Sequence, residues 1–101
     1  MADIHIHRDH QLGLPRAREI ALAWAEELEQ RFDMSCTLLQ GYEADTLEFS
    51  RSGVKGQLLL DAQSFELSAK LGMLMGAFKP QIEAEIGRAL DQLLASEAGK
   101  A

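Results

Sequence analysis

The 101-residue chain lacks the features that mark several large classes of protein. Its single cysteine, Cys36, has no internal disulfide partner, which is typical of a cytoplasmic protein. No run approaches the roughly 20 apolar residues that span a bilayer. The charged start MADIHIHRDH has no apolar signal-peptide core, so we expect neither a membrane span nor export. The net charge of −6, with no basic stripe, argues against nucleic acid as a partner.

The signatures of common enzyme classes are also missing. The sequence contains no P-loop, no G-x-G-x-x-G dinucleotide fingerprint and no G-x-S-x-G nucleophile elbow. Cys36 has no histidine near it in sequence to form a nucleophilic pair, and buried structural cysteines outnumber reactive ones. Sixteen acidic residues single out no catalytic pair. We therefore predict a protein that binds rather than catalyses, with no catalytic residue and no cofactor.

The residues that are present describe one folded domain over residues 1–101. The apolar fraction is 47% and the charged fraction is 26%, which are values of a globular chain. We found no internal repeat, linker or low-complexity tract. The last six residues, 96–101, are small and polar, and we expect them to fray.

Two segments have the apolar period of amphipathic helices. Each has a proline, Pro15 or Pro80, where the first turn of a helix tolerates a missing N–H. Gly87 interrupts the second helix at a cost of roughly 1 kcal/mol relative to alanine, so we expect close packing or softness there. The predicted buried stripes are Ala17, Ile20, Ala21, Trp24, Leu28 and Phe32 in the first helix, and Ile82, Ile86, Ala89, Leu90, Leu93 and Leu94 in the second.

Alternating apolar and polar residues predict strands elsewhere in the chain. Residues 3–8 form the first, and residues 46–50, 57–61 and 64–71 form three more, with a weaker candidate at 36–41. Turn residues between them favour antiparallel hairpins. The predicted fold is α+β with the order β-α-β-β-β(-β)-α, in which two helices cover one face of a four- or five-stranded antiparallel sheet, a small helix-grip-like layout. The exposed edge of such a sheet also allows a homodimer.

The most conspicuous short motif is His5-Ile6-His7-Arg8-Asp9-His10. It matches the H-x-H-x-D-H pattern with which the metallo-β-lactamase superfamily binds zinc, and neutral imidazoles suit that metal. That superfamily needs a much larger fold and further histidine ligands, whereas this chain has only these three histidines. We therefore predict no metal site, and His5, His7 and His10 remain the candidates for one if a metal binds.

The segment Leu71-Gly72-Met73-Leu74-Met75-Gly76-Ala77-Phe78 links the last strand to the final helix and has no charged residue. Connections usually carry polar residues, so two interpretations stay open. The segment either plugs one end of the core or forms an exposed apolar patch, rimmed by Lys70 and Lys79, for a hydrophobic partner. In the second case the interaction residues are Leu71, Met73, Leu74, Met75 and Phe78.

Four stretches together resemble the polyhydroxyalkanoic acid system (granule-region) protein family. They are residues 10–14 (HQLGL), 47–58 (LEFSRSGVKGQL), 69–72 (AKLG) and 82–86 (IEAEI), in the right order for almost the whole chain. Residues 40–45 (QGYEAD) depart from the Trp-Asp-Gly-Asp type of turn expected before the hairpin. The resemblance implies a bacterial cytoplasmic protein associated with polyhydroxyalkanoate storage granules, and it implies no established activity, catalytic residue or cofactor.

The resemblance and the apolar segment together lead to the hypothesis of a non-enzymatic accessory protein. Its partner would be the polyester granule surface or a granule-associated protein, contacted through residues 71–78. The alternative is a small ligand-binding protein of helix-grip type that holds an acyl or hydroxyacyl chain between helices and sheet. A more remote alternative is an enzyme that uses a metal at the three histidines.

Overall fold

The computed structural model describes residues 2–98 of the chain. Over this part of the chain it contains five strands and three helices. In chain order they are β1 (Ala2–Asp9), α1 (Leu14–Phe32), β2 (Ser35–Leu39), β3 (Ala44–Arg51), β4 (Val54–Asp61), β5 (Ser64–Leu71), α2 (Met73–Gly76) and α3 (Lys79–Ala98).

The five strands form one antiparallel sheet in the order β1-β5-β4-β3-β2. Short turns join β2 to β5 as three consecutive hairpins, and β1 pairs with β5 along all eight of its residues. The strands β1 and β2 are therefore the two edges of the sheet. This architecture confirms the predicted α+β class and its order of elements, with five strands rather than four.

One face of the sheet packs against α1 and α3, and the other face is open to solvent. Alternation places Leu47, Leu58 and Leu67 inward, where each is at most 1% exposed. Trp24 of α1 fills the centre: its ring meets Phe49 edge-on at 5.4 Å between centroids, and its Nε1–H donates to the carbonyl oxygen of Ile86 at 3.3 Å. This bond satisfies a buried polar group and joins the two long helices.

A glycine lets the sheet pack closely beneath Phe49. Gly56 faces inward beside that ring, and a Cβ at Gly56 would lie 2.6 Å from Phe49 Cζ and 2.6 Å from the carbonyl oxygen of Ser68. Those distances are well inside van der Waals contact, so no side chain fits. The aromatic residue therefore depends on a glycine in the next strand, with which it is paired.

The structure adds two details to the predicted elements. The connection after β5 contains a one-turn helix, α2. The final helix includes residues 96–98 of the segment that we expect to fray, and residues 99–101 of that segment lie outside the described residues. No helix between residues 2 and 98 is long and apolar enough to cross a lipid bilayer.

Candidate functional site

The apolar connection begins with a residue that cannot serve as a contact. Leu71 is the last residue of β5, is paired with Ala2 and Val54, and is fully buried at 0% exposure. The strand's alternation turns its side chain inward with Phe65, Leu67 and Ala69. Leu71 was predicted as an interaction residue, and the structure corrects this, because the side chain belongs to the core.

Beyond Leu71 the chain forms the α2 segment, which we define as residues 72–78. It is held to the β3–β4 hairpin where two glycines meet: the Gly72 N–H donates to the carbonyl oxygen of Gly53 at 2.9 Å. Met75 covers the hairpin tip, because a Cβ on Gly53 would lie 2.7 Å from Met75 Cγ. Gly53 also has a φ of 84°, which favours glycine. The hairpin turn thus supplies a flat backbone platform on which α2 rests.

The outer side of the α2 segment is almost entirely exposed apolar surface. Met73 is 90% exposed and Leu74 is 87% exposed, while Phe78 is 53% exposed. Single apolar residues on a surface are ordinary, but two such side chains in sequence, with a third one turn later, form a patch. Met75 is half-buried and anchors the patch to the core. The interpretation of residues 71–78 as an exposed patch therefore fits Met73, Leu74 and Phe78. The interpretation as a plug of the core fits Leu71 and Met75.

The charge around the patch differs from that of the molecule as a whole. Lys70 and Lys79 bound the segment, and no acidic residue occurs between Glu66 and Glu83. The residues that flank the segment in sequence are therefore basic, although Asp3 of β1 lies opposite Lys70 in the sheet.

The three histidines of the H-x-H-x-D-H motif do not meet at one point. His5 and His7 lie on the open face of the sheet, where His5 Nε2 and His7 Nδ1 are 3.9 Å and 3.2 Å from Glu66 Oε1. His10 follows β1, and its ring packs on Phe65 at 4.6 Å between centroids. The Leu12 N–H donates to His10 Nδ1 at 3.1 Å, so the His10 ring is hydrogen-bonded within the loop between β1 and α1. Among residues 2–98, no three His, Cys, Asp or Glu side chains are placed to hold a metal ion.

His7 belongs to an exposed polar cluster. Its Nε2 lies 2.8 Å from an Asp9 carboxylate oxygen and its Nδ1 lies 3.2 Å from Glu66 Oε1. These hydrogen bonds, Asp9 first and Glu66 second, raise the pKa of His7 above its usual value. His7 of the motif therefore contacts both Asp9 and Glu66 on the open face of the sheet.

Cys36 lies on β2 under helix α1. Its Sγ is 3.8 Å from the carbonyl oxygen of Ala25, and burial, with the nearby Glu29 carboxylate, raises the pKa of the thiol to about 11. A thiol with that pKa is almost wholly protonated near neutrality, so it is a poor nucleophile.

One buried ion pair was missed by the sequence analysis. Asp45 is 1% exposed, and its carboxylate accepts hydrogen bonds from Arg18 of α1, with Nη2 to Oδ1 at 3.1 Å, and from the Gly41 N–H at 3.0 Å. These partners hold the pKa of Asp45 below its usual value. A signal was available, because Asp45 shares the inward phase of β3 with Leu47 and Phe49. An acidic residue in a buried phase requires a cation.

Surface concavities lie on several sides of the sheet. One of about 930 Å³ lies on the open face beside Gln57, and another of about 860 Å³ lies between β1 and α3. A third, of about 500 Å³, lies between α1 and the β2 edge. The space between helices and sheet is occupied by side chains of 0–1% exposure such as Trp24, Phe49 and Phe65.

Comparison with known proteins identifies one family. A family model described as "putative polyhydroxyalkanoic acid system protein" matches residues 4–94, which is most of the chain. The matched span runs from β1 through α3 and includes the α2 segment. No curated protein and no solved structure matched the chain in the same comparison.

Proposed function

The chain belongs to the polyhydroxyalkanoic acid system protein family, and from this premise we propose that it is a non-enzymatic accessory protein of polyhydroxyalkanoate storage. It works in the cytoplasm and attaches to the polyester granule through the α2 segment. The observation that carries the proposal is the exposure of Met73 and Leu74, at 90% and 87%, in a segment without charge.

The physical driving force is burial of apolar side chains against an apolar polymer. Burying a methionine or leucine that is otherwise exposed contributes about 1.5–3 kcal/mol, so Met73 and Leu74 together contribute about 3–6 kcal/mol. Part of this offsets the loss of translational and rotational freedom on binding. The remainder suits reversible association with a granule that presents many equivalent sites.

The platform beneath α2 prepares the segment for such contact. The Gly72–Gly53 hydrogen bond and the packing of Met75 hold the backbone in place, so little chain order has to be gained on binding. Methionine side chains are unbranched and adapt to an irregular apolar surface.

Co-sedimentation with native granules and with protein-stripped granules tests the proposal. We expect the purified protein to bind both, because the polymer itself is the partner. Met73→Asp/Leu74→Asp should weaken binding about 100-fold, since a loss of about 3 kcal/mol corresponds to that factor. Both side chains are almost fully exposed, so the variant should unfold at the same temperature as the parent.

A matched control is Tyr42→Asp/Leu59→Asp, which adds the same charge at two other exposed apolar residues. It should bind granules like the parent protein. Binding to native granules alone would contradict direct attachment and indicate a granule-coating protein as the partner. If the α2 variant stays folded and binds normally, the α2 segment is not the attachment site. Failure to bind either preparation would contradict granule attachment, and fatty acyl and 3-hydroxyacyl ligands would then be tested for stabilisation of the protein.

A further inference from the structure

The two edges of the sheet differ in how they are protected. The β1 edge carries charged residues, and Arg8 ties it to α3 through Asp91, with Nε to Oδ1 at 2.7 Å. The β2 edge, Ser35–Leu39, has no charged residue and no proline. Charges, prolines and covering elements are the usual devices that keep a sheet edge from pairing with another chain. The β2 edge has none of them within its own strand.

The inward side chains of β2 are incompletely covered. Cys36 and Leu38 are half-buried, whereas Phe49 and Leu47, their partners on β3, are buried to 1% exposure. Beside them, Leu22 of α1 is 47% exposed. The concavity of about 500 Å³ between α1 and the β2 edge, which we call the β2 groove, is lined by Leu22, Cys36, Leu38 and Leu47. Its floor is therefore apolar, and one wall is a strand whose outward N–H and C=O groups have no strand beside them.

The upper rim of the β2 groove is acidic. Glu19, Glu26 and Glu29 of α1 line it, and all three are exposed. Glu19 is paired with Arg16, whereas Glu26 and Glu29 form no ion pair among residues 2–98. The three carboxylates follow the helix at spacings of seven and three, which places them along one side above the strand edge.

From these features we infer that the β2 groove is a docking site for an extended, basic segment of a partner protein. The segment adds as a sixth strand to β2, with backbone hydrogen bonds along the edge. Its alternate apolar side chains contact Leu22, Cys36 and Leu38, and its lysines or arginines reach Glu26 and Glu29. Strand addition of this kind derives its affinity from the backbone and its specificity from alternate side chains.

A second copy of this chain fits the β2 groove less well. Antiparallel pairing of β2 with itself would place the acidic rims of two α1 helices on the same face of the joined sheet. Each copy has a net charge of −6, so the repulsion would be unrelieved. Charge complementarity therefore favours a basic partner. The β2 groove shares no residue with the α2 segment, so this inference does not depend on granule attachment.

The test uses the full chain, labelled with ¹⁵N, and a blocked peptide of sequence Lys-Val-Thr-Val-Thr-Val-Lys. Titration should shift the amide signals of β2 and of the facing side of α1, with saturation. A peptide with glutamate in place of both lysines, and one with proline at the central valine, should each bind at least about tenfold more weakly.

The matching protein variant is Glu26→Lys/Glu29→Lys, which should weaken binding of the basic peptide about tenfold. Its control is Glu83→Lys/Glu85→Lys on α3, which makes the same change of charge and should leave binding unchanged. Absence of shifts at about 1 mM peptide, shifts confined to other strands, or equal binding of the acidic peptide would overturn the assignment. If the β2 amides become protected from hydrogen exchange as the protein concentration rises in the absence of peptide, the groove binds a second copy of the chain. That result would also overturn the assignment to a basic partner.

Discussion

At the scale of single residues, the arrangement of Asp45 shows how burial imposes a partner. Its carboxylate is placed inward by the alternation of β3, and Arg18 reaches it from α1 across the end of the sheet. The same carboxylate accepts the Gly41 N–H and so fixes the turn that leads into β3. One acidic side chain thus joins the first helix to the start of the central hairpin.

We predict that Asp45→Asn lowers the free energy of unfolding by about 1–3 kcal/mol, because a charge-assisted bond to Arg18 is lost while the shape is kept. The loss of stability is not larger because the side chain of Arg18 is 28% exposed, and its guanidinium can form hydrogen bonds with water instead. Urea denaturation at pH 7 measures it. Asp33→Asn, an exposed change of the same kind, should alter stability by less than about 0.5 kcal/mol.

The pH dependence of this difference has a definite sign. The folded pKa of Asp45 is lowered, so its stabilising contribution is fully present above the unfolded value of about 3.9. The contribution is lost as the pH falls through the folded value. Parent and variant should therefore differ at pH 7 and converge below pH 4. A constant difference down to pH 2 would mean that the charge of Asp45 is not what stabilises the fold.

At the scale of elements, two glycines in regular structure have opposite roles. Gly56 lies in β4 against Phe49, where no side chain fits. Gly87 lies in α3, and a Cβ there would meet Ile6 Cδ1 at 3.6 Å and Arg8 Nη2 at 3.9 Å, which are ordinary contact distances. The sequence indicated close packing as one possible reason for Gly87. The distances show that the packing around Gly87 leaves room for the methyl group of alanine.

We predict that Gly87→Ala raises the free energy of unfolding by up to about 1 kcal/mol, because alanine is the better helix former. Gly56→Ala should lower it by about 1–3 kcal/mol, because the added methyl group displaces the Phe49 ring or the backbone of Ser68. Thermal and urea unfolding of the two variants measure both effects. Destabilisation by Gly87→Ala would show that α3 approaches β1 more closely than these distances indicate.

At the scale of the whole molecule, the two proposed surfaces rest on different forces. The α2 segment offers exposed apolar side chains, and the β2 groove offers a strand edge with an acidic rim. A net charge of −6 opposes non-specific association of copies of the chain. Because the two surfaces share no residue, the two proposals together imply that one molecule contacts a granule and a basic partner at the same time.

We predict that salt weakens one of the two interactions and not the other. Raising NaCl from 0.1 M to 1 M shortens the Debye length from about 10 Å to about 3 Å. Binding of the basic peptide at the β2 groove should weaken several-fold, whereas binding to protein-stripped granules should stay the same or strengthen. Peptide titrations and co-sedimentation at both salt concentrations measure this. A parallel loss of both would mean that granule attachment is electrostatic and would contradict the apolar mechanism.

Much of this architecture could be predicted from the sequence because the relevant physics is local. The period of the apolar residues in α1 and α3, the alternation of β3, β4 and β5, and the prolines at the helix starts all reflect neighbours a few residues apart. The family also follows from ordered segments of the chain, and the family model confirms it over residues 4–94. These features depend on the helical period of 3.6 residues and the strand period of two residues. Both periods can be read from the spacing of apolar residues along the sequence.

Only the tertiary structure decided which apolar residues remain exposed. Leu71 and Leu74 are three positions apart in one apolar run, yet one is 0% and the other 87% exposed. The difference arises because Leu71 is the last residue of β5, whereas Leu74 belongs to α2. The start of α2 is hydrogen-bonded to Gly53 in the turn of the β3–β4 hairpin. The Arg18–Asp45 pair and the β2 groove likewise join residues far apart in sequence. Burial depends on which elements meet in space, and no local period of the sequence encodes that meeting.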